Sequence, residues 1–188
     1  MQGISVDNLG PDYALLLQEL DPPKPDSEHV LVNIQTTAIN RADLLQAQGH
    51  YPPPPGASAI LGLECAGTRA DNGEKVMCLL PGGGYASQAI VHTGSLLPVP
   101  ESYSMEEAGA TMETALTAYL NIFILGNAQK GNKVLIHGGS SGVGTMAIQL
   151  CKVSGIQTVV TAGSDEKCRR CEALGAKQAV NYKSKDFG

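Results

Sequence analysis

Tryptophan is absent from the 188 residues, phenylalanine occurs twice, and aromatic residues make up 4% of the chain. A core of stacked aromatics is therefore excluded. Charge is also sparse, at 16%, and 13 basic against 18 acidic residues leave a formal net charge of −5. With no Lys/Arg run, the electrostatic footprint of a nucleic-acid binder is missing. No apolar stretch approaches the roughly 18 residues that a membrane span needs. The opening Met1-Gln2-Gly3-Ile4-Ser5 has neither a cationic segment nor an apolar one, so no secretory signal is expected. The cysteines (Cys65, Cys78, Cys151, Cys168 and Cys171) are odd in number and scattered. They do not read as a disulfide framework, which points to a reducing compartment and a cytoplasmic location. What the chain does have is glycine, at 22 residues. A glycine-rich, aromatic-poor chain of 43% hydrophobic residues suggests a globular protein whose backbone closely approaches a ligand.

The first hundred residues carry short β-like runs between turn residues. Strands are expected at 30–34, 74–80, 89–91 and 96–99, and the run Pro52-Pro53-Pro54-Pro55-Gly56 is a stiff extended loop. This part reads as a small antiparallel β-rich domain, residues 1–104. The pattern then changes. Ser104 and Glu107 form a capping box, and Ala108, Met112, Ala115, Leu116, Tyr119 and Phe123 recur at helical spacing. One helix is expected over 105–124, stopped by Gly126.

Residues 105–188 continue as a partial nucleotide-binding domain. Strands at 133–137, 158–162 and 177–181 alternate with helices at 143–154 and 165–174, the second capped by Ser164 and ended by Gly175. This is the right-handed parallel βαβαβ unit that forms the first half of a doubly wound sheet. Since such a fold needs two halves, the break at Phe187-Gly188 predicts a shortened molecule or a partner that covers the sheet edge.

The strongest candidate site is Gly139-Ser140-Ser141-Gly142-Val143-Gly144, after a strand and opening a helix. It fits the dinucleotide fingerprint G-x-G-x-x-G except that Ser141 takes the middle place. The flanking glycines permit a tight turn and close helix–strand packing, and the helix N-terminus suits a pyrophosphate. A glycine-rich turn without a ligand is the plainer alternative. An acid that would hold the ribose hydroxyls of NAD is expected at the end of the second strand, where Gly163 stands. Ser164 and Lys167 follow it, so a 2′-phosphate meets a hydroxyl and a cation. NADPH is the expected cofactor, with Asp165 read as a first-turn helix acid.

Several segments in order resemble the zinc-independent quinone oxidoreductases of the medium-chain dehydrogenase/reductase superfamily. They are Asn40-Arg41-Ala42-Asp43-Leu44-Leu45, Gln48-Gly49-His50-Tyr51 with the proline run, Leu80-Pro81-Gly82-Gly83-Gly84-Tyr85-Ala86, and His137 through Gly144. The nearest branch looks like that of the tumour-suppressor-inducible mammalian NADPH:quinone oxidoreductases. The resemblance implies an α/β protein with a β-rich GroES-like N-terminal domain followed by the first βαβαβ half of a Rossmann doubly wound parallel sheet. It implies NADPH-dependent reduction of a small-molecule quinone by direct hydride transfer. Asn40 and Tyr51 would line the nicotinamide end, and Thr117 and Tyr182 would contact cofactor. Zinc is not expected, because zinc-dependent relatives carry Cys where Asn40 stands and His where Leu63 stands. Glu64 would be a buried, paired carboxylate, and His50, His92 and His137 structural.

Two departures accompany the resemblance. Thr68 to Gly73 bridges a segment that is longer in the relatives, so this corner of the β-domain is expected to pack differently. The relatives also run well past Gly188, through the strand they use to form homodimers. Other readings are an inactive fragment or cofactor- and partner-binding module, and an enone reductase of the same fold. Cys168-Arg169-Arg170-Cys171 raises a thioredoxin-like redox pair, against which stands its place inside a helix rather than at the N-terminus.

Overall fold

The computed structural model describes residues 1–186; Phe187 and Gly188, on which the expectation of an interrupted domain rests, lie outside the described residues. The chain divides into two compact units, Met1–Glu113 and Thr114–Gly188.

Unit 1 begins with a hairpin of β1 (Gln2–Asp7) and β2 (Ala14–Glu19). Its main body is an antiparallel sheet of β3 (His29–Thr36), β4 (Glu64–Arg69), β5 (Lys75–Leu79), β6 (Gln88–His92) and β7 (Leu96–Pro98), in the order β6-β3-β4-β5-β7. Val32, Cys65, Val76, Cys78 and Val91 are buried on one face of it. Each valine so buried stabilises the fold by roughly 1.5–3 kcal/mol. Met77 and Ala66 seat Ala108 and Met112 on the other face. At Gly67 the β4 backbone passes so close to β3 that a Cβ would overlap the Asn33 carbonyl, beside the register shift between Ile34 and Thr36. The corner at 68–73 closes as a tight hairpin. Arg69 N–H donates to the Glu74 carbonyl at 2.9 Å, Gly73 takes a left-handed φ of 76°, and the pairing of β4 with β5 runs through Thr68 and Lys75.

The helix expected over 105–124 is not continuous. It is divided into α2 (Met105–Gly109) and α3 (Met112–Tyr119), and Leu120–Leu125 is wound as a π-helix. Before these, a short helix that the sequence pattern did not disclose, α1 (Arg41–Ala47), follows β3. The break after α2 has local causes. Gly109 lies against Thr36, whose hydroxyl donates to the Met105 carbonyl at 2.6 Å. The Thr111 hydroxyl donates to the Glu107 carbonyl at 2.6 Å, which competes with helical pairing. The new helix start then gives the Glu113 N–H to the Glu64 carboxylate at 3.1 Å.

Unit 2 is a parallel sheet of β8 (Lys133–Ile136), β9 (Gln157–Ala162) and β10 (Gln178–Asn181), in the order β10-β9-β8. The crossovers are α4 (Gly142–Val153) and α5 (Asp165–Leu174), as expected. Ile148 of α4, Val160 of β9 and Cys171 of α5 are 0–1% exposed and pack together. Ser164 caps α5 through the Lys167 N–H, and Gly175 ends it at a φ of 125°. A second cluster joins Ala118 and Ile122 to Ala147 and Cys151.

All five cysteines are buried. Cys65 and Cys78 face each other across β4 and β5, and their mutual hydrogen bond, with burial, holds the Cys65 thiol far above its ordinary range. Burial also pushes up the thiols of Cys151, Cys168 and Cys171. No helix among the described residues is long and apolar enough to cross a membrane.

Candidate functional site

In unit 2 the glycine turn takes the form its sequence suggests. Gly138 turns the chain at a φ of 73°, and the Gly139 N–H donates to the Thr161 carbonyl of β9 at 2.9 Å. A Cβ on Gly139 would lie 2.6 Å from that of Val160. On Gly144 it would overlap the Gly138 carbonyl oxygen and stand 2.7 Å from Gly139 Cα. Ser141, in the place of the middle glycine, is the N-cap of α4: its Oγ accepts from the Gly144 N–H at 3.0 Å. The N–H groups of Gly142 and Val143 belong to the first turn, where no intrahelical acceptor exists, and both residues are exposed. Ser140 lies between the turn and the cap. Free N–H groups at such a helix start are the kind that can receive an anion. Thr117 of α3 borders the same region, lining with His137, Val143 and Ile136 a groove of about 490 Å³.

The end of β9 carries the second feature. The Tyr182 hydroxyl lies 2.8 Å from where a Gly163 Cβ would stand, and Lys183 Cε is 3.7 Å from that point. No carboxylate stands at 163, and a side chain there would have to displace the half-exposed Tyr182 ring. Ser164 and the exposed Lys167 begin α5 beside it. Asp165 is turned to Asn181, whose amide donates to it at 2.8 Å. Lys183 is a residue the sequence reasoning missed; its signal was a cation directly after Tyr182 at the end of the third strand.

In unit 1 two carboxylates are 1% exposed, Asp43 and Glu64. Asp43 accepts from the Asn40 N–H at 2.7 Å, the Gly62 N–H at 3.2 Å and the Tyr85 hydroxyl at 2.9 Å. Burial, then the hydrogen bond to Asp43, pushes the Tyr85 phenol well above its ordinary value. Glu64 accepts from Asn40 Nδ2 at 2.8 Å and from the Glu113 N–H at 3.1 Å. Burial raises its pKa, against the lowering effect of those two donors. Asn40 is thereby held from both sides. Tyr51 stands apart from these bonds, 46% exposed after α1. Leu63 is buried hydrocarbon. Among the described residues no three His, Cys, Asp or Glu side chains form a group that could hold a metal. Cys168 and Cys171 face the core, burial raises both thiols, and Arg170 pairs with Glu166 at 2.6 Å, all of which weigh against the thioredoxin-like reading.

Residues 26–101 match the alcohol dehydrogenase GroES-like domain, and residues 142–188 match the zinc-binding dehydrogenase family. The mouse quinone oxidoreductase is 28% identical over 188 residues, covering 95% of this chain and 57% of that one. The solved quinone oxidoreductase of Thermus thermophilus, known also as its NADPH complex, is 32% identical with a TM-score of 0.85, covering 97% and 60%. The chain belongs to the medium-chain dehydrogenase/reductase superfamily. Within the superfamily it is quinone oxidoreductase-like, and the enoyl reductase CurK is a further structural relative, at 26% identity and a TM-score of 0.86 over 97% of this chain and 60% of that one. The chain thus spans about 60% of these solved members. The antiparallel sheet of unit 1 is the superfamily's GroES-like part, and the parallel βαβαβ of unit 2 belongs to its nucleotide-binding part.

Proposed function

We propose that this superfamily member takes part in NADPH-dependent reduction of quinones by direct hydride transfer, without zinc. The observation that carries the cofactor assignment is the end of β9. Gly163 leaves no acid there, the Tyr182 hydroxyl lies beside it, and Lys167 and Lys183 supply cations. A 2′-phosphate gains charge-assisted hydrogen bonds from such a set, whereas the ribose hydroxyls of NADH lose their acceptor. NADPH supplies the hydride when bound. Gly139, Ser140, Gly142, Val143 and Gly144 approach or cradle the pyrophosphate, and Ser141 holds the helix start that does so. Thr117 borders the cradle, while Ser164 and Lys167 receive the 2′-phosphate.

In unit 1 we assign Asn40 and Tyr51 to the reacting ring and the substrate. Asn40 offers a carboxamide whose orientation is held from below by Glu64. Tyr51 has an exposed hydroxyl available to deliver a proton to the reduced product. Zinc does not fit this donor set: a carboxamide already bonded to Glu64 and a leucine replace the thiolate and imidazole that catalytic zinc requires. The CurK relationship favours a second reading, reduction of an enone with the same cofactor.

Titration with NADPH and NADH, then turnover of an ortho-quinone and an enone, tests the reading. Preference for NADPH with quinone turnover is expected. Equal affinities overturn the cofactor assignment, enone turnover alone favours the second reading, and stoichiometric tightly held zinc overturns the metal-free mechanism.

A further inference from the structure

Asn181 ends β10 and stands opposite Ala162, the last residue of β9, where the candidate phosphate site begins. Both ends of its carboxamide are engaged. Oδ1 accepts from the Lys183 N–H at 3.1 Å, and Nδ2 donates to Asp165 Oδ1 at 2.8 Å. A backbone N–H only donates, so the end towards Lys183 must be the oxygen. The nitrogen is left for Asp165, whose carboxyl group has an accepting oxygen in either protonation state. The backbone beneath is held as well, because the Asn181 carbonyl accepts from the N–H groups of Ser184 and Lys185 at 3.1 and 3.0 Å. Asp165 is exposed and opens α5 directly after the Ser164 cap, two residues past Gly163. The next acid, Glu166, is paired with Arg170, whereas Asp165 meets a neutral carboxamide. An amide does not cancel the charge of a carboxylate. It decides where that charge sits.

We propose that Asn181 is a positioning residue for cofactor choice: it holds the Asp165 carboxylate off the end of β9, so that the site there takes a ribose bearing a 2′-phosphate. Released from Asn181, Asp165 turns about its own side-chain bonds towards Gly163. There it repels a 2′-phosphate and accepts from free ribose hydroxyls, the part that an acid plays for NADH. Asp165 is thus a ribose-binding acid kept from its ligand by one hydrogen bond. The other end of the same carboxamide orders the chain at Lys183, so one side chain withdraws an anion from the phosphate and steadies a residue that brings a cation. The proposal rests on the assignment of NADPH to this end of β9.

The test is a cycle of Asn181→Ala, Asp165→Asn and the double variant, read by the dissociation constants of NADPH and NADH. Asn181→Ala is expected to weaken NADPH about tenfold and to leave NADH unchanged or tighter. With Asp165→Asn already present, the same change should weaken NADPH by about twofold or less, and the difference between the two losses belongs to the pair. Because the loss comes from charge repulsion near the surface, the ratio of the variant's constant to that of the unmodified chain should narrow as salt is added. An equal loss in both backgrounds, or an equal loss of NADPH and NADH, overturns the proposal. If Asn181→Ala does not fold, Asn181→Asp takes its place. It keeps an acceptor for the Lys183 N–H and removes the donor to Asp165, and Asp165→Asn beside it restores a donor from the other side. NADPH affinity should fall in that single variant and recover in its double, and no recovery overturns the proposal. If the unmodified chain binds NADPH and NADH equally, or binds neither, the cofactor reading fails and the proposal with it. A preference for NADPH without coupling between residues 165 and 181 overturns the proposal alone.

Discussion

Changing Gly144 to Ala sets two known effects against each other. In a helix, alanine is favoured over glycine by about 1 kcal/mol. Gly144 lies in the first turn of α4, but the new methyl group would overlap the Gly138 carbonyl oxygen and stand 2.7 Å from Gly139 Cα. Both obstacles are backbone, so no rotamer change relieves them. Overpacking of this kind costs roughly 1–3 kcal/mol, and here it also presses on the turn that the pairing of Gly139 with Thr161 holds to β9. Less the helix gain of about 1 kcal/mol, this leaves up to about 2 kcal/mol of net destabilisation, with the upper end expected because both obstacles are backbone, and for a unit of this size that lowers the thermal midpoint by up to roughly 15 °C. Displacing the turn moves the N–H groups of Gly142 and Val143, so NADPH affinity should also fall about tenfold, as loss of one charge-assisted hydrogen bond would give. Gly138→Ala is the control. Gly138 has a left-handed φ of 73° but no atom within 4 Å of its missing Cβ, so only backbone strain of about 1 kcal/mol applies. Thermal unfolding followed by circular dichroism, with a fluorescence titration of NADPH, ranks the variants. A Gly144→Ala protein as stable as the unmodified chain, or more stable than Gly138→Ala, would refute the packing argument.

Lys167→Glu should weaken NADPH by about 1–3 kcal/mol and leave NADH little changed, measured as the two dissociation constants; an equal loss for both cofactors would remove Lys167 from the phosphate site. Tyr85→Phe takes one of three donors from buried Asp43 and should cost about 1–3 kcal/mol in urea unfolding, with a cost near zero showing that the bond contributes nothing. The raised pKa of Glu64 has a definite sign in stability. Its contribution is fully present below the unfolded value, near 4.5, and is lost as pH rises through the higher folded value. Unfolding free energies of the unmodified chain minus those of Glu64→Gln should therefore fall as pH is raised from about 4 to 8, and a flat or rising difference would contradict the burial effect.

The sheet strands of both units were legible where apolar residues ran uninterrupted between turn residues, as in β3, β5 and β9. The capping box at Ser104 and the caps of α5 were legible because their signals are local. α1 was hidden because seven residues give too few turns to establish a helical period. β2 was hidden because all six of its residues are exposed, so its leucines do not alternate with polar residues. The division of the expected 105–124 helix depends on Thr36 and Glu64, partners far away in sequence, and only Thr111, a hydroxyl residue before Met112, hinted at it. The same holds at the candidate site. The fingerprint turn can be read from six consecutive residues, but two of the three donors to Asp43 come from the distant Gly62 and Tyr85, and Tyr182 reaches Gly163 only once β10 lies beside β9.

The buried cysteines have a practical consequence. A buried thiol with a raised pKa reacts slowly with an alkylating reagent until its surroundings open, most strictly at Cys65, Cys78, Cys151 and Cys171, which are 0–1% exposed. Cys65 and Cys78 lie in the five-stranded sheet, and Cys151, Cys168 and Cys171 lie on the two crossover helices. The protein therefore carries its own pair of clocks. Labelling in dilute denaturant, read by mass spectrometry of the separate peptides, times the opening of each unit without any introduced probe, and adding NADPH should slow only the clock of the unit that holds it.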